Sequence, residues 1–240
     1  MEWRDEAIIL GLKRYGETSV IVEALTRNHG RHRGVVRGGR GKRLSAVIQP
    51  GNTVELVWRA RIEEQLGQFA VEGLKLRSAN LITQASSLYA LSTLASHCRL
   101  LPERDPHEML YETLEVLVDH LHEPKLIAAL LIRFEIALLT ELGFGIDLSC
   151  CAATGSTQEL IYVSPKSARA VCRVAGEPYK DKLLKLPSFL NGRGVLAEPN
   201  KDEIRAGFTL SAYFLDRHVF DPRGILMPEA RQAFIGLCQV

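Results

Sequence analysis

"AIILGLKRYGETSVIVEALTRNHGRHRGVVR", residues 7–37, is the stretch that decides the fold. Its apolar and β-branched residues fall into runs at 7–15, 19–27 and 31–37, separated by "GET" and "NHG", both built of turn-forming residues. Two more such runs follow, "TVELVWRAR" at residues 53–61 and "QLGQFAVEG" at residues 65–73. Five short strands in so compact a segment predict a small closed barrel of the OB-fold type. An SH3-like barrel has the same period, and periodicity does not separate the two.

From Asn80 the period changes to that of a helix. "NLITQASSLYALSTLASHCRLL" predicts one capped by Asn80, with Leu88, Leu91 and Ala95 on its apolar stripe. In "DPHEMLYETLEVLVDHLHE", Asp105 reads as a cap, Pro106 as the first helical residue and Glu108 as the acid of a capping box. Its polar face carries Glu108, Glu112, Glu115 and Asp119 and reads as solvated. Pro124 opens a third helix that Gly143 ends; Asn200 with Glu203 caps a fourth; a last short one begins at Pro228. The expected architecture is α+β and multidomain: an OB-fold domain over residues 1–78, then a mostly α-helical domain over residues 79–240 with an irregular insert at about 147–178.

Composition is that of a soluble chain with a real core, 46% hydrophobic and 24% charged over 240 residues. The acidic opening "MEWRDEAIIL" is not a signal peptide. The apolar run at residues 126–139 is broken by Arg133 and Glu135 and is too short to span a bilayer. Five cysteines without framework spacing point to a reducing cytoplasm. No Walker loop, nucleophile elbow or HExxH stretch is present, so a non-enzymatic protein is expected.

Charge is uneven. Residues 1–77 hold 14 Lys/Arg against 9 Asp/Glu, and the remainder 16 against 19. The excess gathers between Arg27 and Arg43, where seven cations alternate with five glycines and no carboxylate intervenes. Arginine forks grip phosphate oxygens bidentately, and glycine lets a backbone approach a polyanion closely. Arg31, Arg33 and Arg37 alternate along one predicted strand, as Arg59 and Arg61 do on another, and Arg40, Lys42 and Arg43 complete the loop. These eight residues are the predicted nucleic-acid contacts, lining a groove of the kind that tracks single strands. Tyr15, His29, His32 and Trp58 are the nearby aromatic candidates for stacking, Trp58 being better placed for the core.

"GLKRYGETSVIVEALTRNHGRHRGVVRGGRGK…PG" resembles the opening of the RecO family of bacterial DNA repair proteins, which pairs a "YGE" turn with a glycine-spaced basic strand. "IRFEIALLTELGFGIDLSCC" (residues 132–151), "YVSPKSARAV" (residues 162–171) and "PEARQAF" (residues 228–234) extend the resemblance in the same order. It implies a recombination mediator that binds single- and double-stranded DNA, anneals complementary strands and helps load RecA on strands coated by the single-strand-binding protein. The partners it implies are the C-terminal tail of that coating protein, RecR, and in addition RecF and RecA. Arg133, inside an apolar helix, is the candidate receiver of the acidic tail, against the plainer reading of an intrahelical or interhelical ion pair for Arg133 and Glu135. The expected location is the cytoplasm, on the nucleoid. The basic barrel alone would equally suit a general RNA- or ribosome-associated OB protein.

Many members of that family carry zinc between two CxxC knuckles. Here the first knuckle pairs Cys151 with Thr154 and the second pairs Cys172 with Ala175, so two expected thiolates are missing. No metal or other cofactor is expected, and the insert reads as a degenerate zinc knuckle.

Overall fold

The computed structural model describes residues 1–191 and 198–238, with the side chain of Lys125 left aside. Two compact units emerge, residues 1–122 and 123–240. In the first, β1 (Glu2–Tyr15), β2 (Ser19–Thr26), β3 (Arg31–Val36), β4 (Thr53–Arg59) and β5 (Gln68–Lys75) form a closed barrel in the order β1-β2-β3-β5-β4, and the short α1 (Lys42–Val47) lies between β3 and β4. The α+β class and the five-stranded N-terminal architecture are as expected.

Closure depends on the length of β1. Its first half pairs with β4 from Glu2 to Ile8 and its second half with β2 from Ala7 to Tyr15, with a register break between Ile9 and Gly11. One bent strand therefore serves two neighbours. β1 starts five residues earlier than its apolar run because Glu2, Arg4 and Glu6 point outward while Asp5 is buried. The core is filled by Ala7, Ile9, Val22, Ala24, Val36, Leu56, Trp58 and Phe69, which alternate inward along their strands, and by Ile48 at the end of α1. Trp58 is 1% exposed, and its indole N–H donates to the Leu66 carbonyl at 3.1 Å, so the ring is core.

Helices α2 (Ser78–Leu81), α3 (Ala85–Cys98) and α4 (Glu108–Asp119) complete this unit. Two capping expectations fail. Asn80 lies inside α2, and α3 starts only after Gln84. α4 begins at Glu108 behind His107, because the chain before it is held elsewhere. Glu103 bridges to Arg31, and the Arg104 N–H donates to the Arg31 carbonyl at 2.9 Å, so Asp105 cannot turn back to cap.

The polar face of α4 is exposed at Glu108, Glu112 and Asp119, as expected, and it also pairs with the barrel. Glu112 and Glu115 meet Arg27 at 3.2 and 3.4 Å, Glu115 also meets Lys75 at 2.9 Å, and Asp119 meets Arg77 at 2.5 Å. Its carboxylates fasten the helix to barrel cations.

The second unit holds α5 (Pro124–Glu141), with Pro124 in its first turn and Gly143 just past its end as expected. The segment expected to be irregular contains structure: β6 (Leu160–Val163), β7 (Ala170–Cys172) and β8 (Leu184–Lys185) make a three-stranded sheet in the order β7-β6-β8, with α6 (Arg173–Gly176) after β7. The strands are too short to show a period. α7 (Lys201–Leu215) has the full capping box of Asn200 and Glu203. It runs through a π-helical turn into α8 (Asp221–Arg223), and α9 (Glu229–Leu237) ends the described chain. No helix among the described residues is long and apolar enough to cross a membrane.

A buried ion pair joins three of these helices. Glu135 of α5 is 0% exposed and accepts from Arg231 of α9 at 2.7 and 2.9 Å and from Ser211 of α7 at 2.5 Å. Of the intrahelical and interhelical ion pairs expected for this segment, Glu135 forms the interhelical one. Residues two apart on a helix project to different sides. Arg133 is exposed and donates instead to the Phe189 carbonyl at 2.8 Å.

Candidate nucleic-acid interface

The eight predicted contacts separate into two groups. Arg31 is held by Glu23 at 2.7 Å and Glu103 at 3.4 Å, Arg33 by Glu103 at 2.6 Å, and Arg59 by Glu2 at 2.9 Å. The run from Arg27 to Arg43 has no acid in sequence, but it acquires several in space. Glu23 lies directly across β2 from Arg33 in the strand register, and Glu103 arrives from the far side of α3. Arg61 is exposed and falls beyond the end of β4, so it shares no strand row with Arg59.

Arg37, Arg40, Lys42 and Arg43 differ. All four are exposed, and among the described residues none forms an ion pair. The loop carrying them is fixed. Gly38 adopts a φ of +66°, and a Cβ on Gly39 would come within 2.6 Å of the Val20 side chain, so the loop can lie flat on the barrel only with glycine there. The Arg40 N–H donates to the Thr18 carbonyl at 3.1 Å, and its guanidinium donates to the Glu17 carbonyl. This ties the loop to the β1–β2 turn.

Lys42 and Arg43 stand in the first turn of α1, a six-residue helix with no acidic residue at that end. Cations there oppose the helix dipole, so helix stability does not account for them. They line a cleft of about 680 Å³ together with Gly38, Gly41, Leu44, Val47 and, from β5, Val71, Glu72 and Gly73. Glu72 is the one carboxylate in that lining and disfavours an anion on its side.

Lys13 and Arg14 were missed by the sequence reading. Both are exposed near the end of β1, and Arg14 pairs with Val20, which pairs with Val36, the residue before Arg37. With strands about 4.8 Å apart, Arg14 and the loop stand roughly 10 Å from one another. The strand register was the signal that could have found them. Tyr15, 53% exposed, sits on the same rim as the one stacking candidate there. His29, His32 and Trp58 lie toward the other end of β1, where Trp3 stacks on His29 with centroids 4.2 Å apart.

The cysteine insert does not fit a structural zinc. The Cys172 N–H donates to Cys151 Sγ at 3.3 Å, and the Thr154 hydroxyl lies 3.6 Å from Cys172 Sγ. Thr154 thus closes the knuckle by hydrogen bonding where a thiolate would ligate, and Ala175 offers no donor. Two thiols do not make the four-ligand set that such a zinc needs.

The family "Recombination protein O N terminal" matches residues 1–77, and "Recombination protein O C terminal" matches residues 80–225. A DNA repair protein RecO of Sinorhizobium medicae is 55% identical over 235 residues, which cover 98% of this chain and 94% of the relative. One of Methylobacterium nodulans is 54% identical, covering 99% and 98%, and one of Brucella abortus 53% identical, covering 98% and 95%.

Proposed function

Since the chain belongs to the RecO family of DNA repair and recombination proteins, we propose that it works as a recombination mediator that binds single- and double-stranded DNA and anneals complementary strands. The observation that carries this reading is the set of exposed cations Arg37, Lys42 and Arg43, free of ion pairs among the described residues, with Arg40, on a glycine-held loop beside an open cleft. Nothing in that arrangement prepares a nucleophile or a general base. The reading is therefore non-enzymatic: charge brings two strands to one surface, and base pairing does the rest. Contacts to phosphate alone carry no sequence information, which suits a protein that must act on any break.

Salt tests the footprint. The triple variant with Ala at 37, 42 and 43 is expected to flatten the slope of log affinity against log salt by about two on single strands and nearly three on duplex. Arg31→Ala and Arg59→Ala should leave the slope within about half a unit, because carboxylates already neutralise those groups. An unchanged slope in the triple variant would remove the loop from the interface. Equal affinity for RNA and DNA tracts in competition would favour the general RNA-binding alternative.

The partners of the reading are the single-strand-binding protein's tail, RecR, RecF and RecA, acting in the cytoplasm on the nucleoid. Arg133 suits an acidic tail, since its exposed guanidinium lies 6.0 Å from the Phe189 ring centroid, which offers charge and an apolar surface together. A tail peptide binding Arg133→Ala as tightly as the parent protein would refute that assignment. The same reading needs no zinc. Elemental analysis of the purified protein is expected to find none in stoichiometric amount, and chelator should leave its Tm unchanged; one zinc per chain would overturn this.

A further inference from the structure

Both tryptophans of the chain line one small cavity at the end of the barrel away from the basic loop. The cavity measures about 190 Å³ and is walled by Trp3, His29, His32, Trp58, Glu63 and Arg104 among others. This is below the roughly 300–1,000 Å³ of sites for drug-sized molecules and leaves room for one planar ring system. Trp3 is half-buried, stacked on His29 at 4.2 Å and on Trp58 at 5.7 Å, with His32 edge-on to both indoles at 5.1 Å.

Arg104 closes the far wall in a backbone conformation rare for a residue with a side chain, φ +65°. Its guanidinium is held by the carbonyls of Glu63 and Gln65 and lies 6.0 Å from the Trp58 ring centroid. A fixed guanidinium plane is a surface on which bases stack, and the half-buried Trp3 shares the cavity with it. Polar edges are supplied as well: His32 donates its Nδ1–H to the Arg33 carbonyl at 3.1 Å, and Asn28 is held by the buried Asp5. Asp5 also fixes His29 at 2.9 Å, so the stacked pair is pre-set.

We propose that this cavity binds one unstacked nucleobase of a single strand, as a site separate from the phosphate-binding loop. The proposal rests on the DNA-binding reading above and deepens it: the loop holds the backbone and the cavity takes a base. Taking a base out of the stack costs least in a strand that is already single.

Because Trp3 and Trp58 are the only tryptophans, emission excited at the red edge of indole absorption, where the six tyrosines contribute little, reports on this cavity. The test titrates the full chain with a twelve-residue oligothymidylate and with an abasic phosphodiester of equal length, following fluorescence together with anisotropy of an end label. The expected result is that both bind, that only the base-bearing strand changes tryptophan emission, and that Trp3→Leu loses about tenfold in affinity for that strand with its salt slope unchanged. Two bound strands that change emission equally, or not at all, would overturn the proposal while leaving the loop reading intact. Failure of both to bind would overturn the DNA reading and this site with it. The emission comparison uses the parent protein, so it stands even if the Trp3 variant does not fold.

Discussion

Replacing Arg231 with Met is expected to cost the helical unit about 3–5 kcal/mol, because it takes the Arg231 charge away from a buried carboxylate. Glu135 is fully buried, and Arg231 meets it with two parallel hydrogen bonds while donating to the Phe208 carbonyl at 3.0 Å. Ser211 is a further donor to Glu135 and cannot supply a charge. Phe208 also stacks under the guanidinium at 5.0 Å, so the Met side chain keeps some packing and isolates the electrostatic part. Urea unfolding followed by far-UV circular dichroism reads the loss. The double variant Glu135→Leu with Arg231→Met should recover most of it, because removing both charges also removes their desolvation cost. A single-variant loss below about 1 kcal/mol would show that water reaches Glu135 and that the pair is not what holds α5, α7 and α9 together.

That cluster also shows what a linear reading can and cannot see. Glu135 stood out in the sequence as an acid within an apolar run, which is sound evidence of a buried charge. The sequence left open whether its partner lay on the same helix or on another, and it comes from Arg231, 96 positions away. The basic loop teaches the same thing with the opposite sign. Its lack of interleaved acids was read as lack of neutralisation, yet cross-strand Glu23 and distant Glu103 neutralise Arg31 and Arg33. What remained legible was local. β2 stands at residues 19–26 between turns visible as "GET" and "NHG", and the capping box of Asn200 and Glu203 needs nothing beyond four successive residues. α1 escaped notice because it follows a glycine-rich loop and starts with two cations, both poor signs of a helix beginning. The cavity between Trp3 and Arg104 had one visible trace, the cluster of aromatic residues, but Trp3 lay in a charged segment and Arg104 in a loop. Only barrel closure brings them together.

Acid is expected to weaken the barrel through His32. This imidazole is 3% exposed, and burial pulls its pKa from 6.5 to about 4; the Arg33 carbonyl works in the other direction, Arg104 and His29 add to the lowering, and Glu103 opposes it. The folded state therefore binds the proton less readily than the unfolded chain. Stability from this group is fully present above about pH 6.5 and is lost as pH falls toward about 4. The displacement corresponds to about 3 kcal/mol. His32→Gln keeps a side-chain donor for the Arg33 carbonyl but cannot titrate, so its stability should decline less between pH 7 and 4 than that of the parent, by about that amount. Other carboxylates titrate in the same window, and the difference between the two proteins removes their shared contribution. Trp3 and Trp58 both lie 5.1 Å from His32, so tryptophan emission during denaturant titration reports the unit concerned. Parallel decline of the two proteins would mean that the charged imidazole finds water or a carboxylate in the folded barrel. The 190 Å³ cavity beside it would then be wet at acid pH, with the ring turned toward solvent.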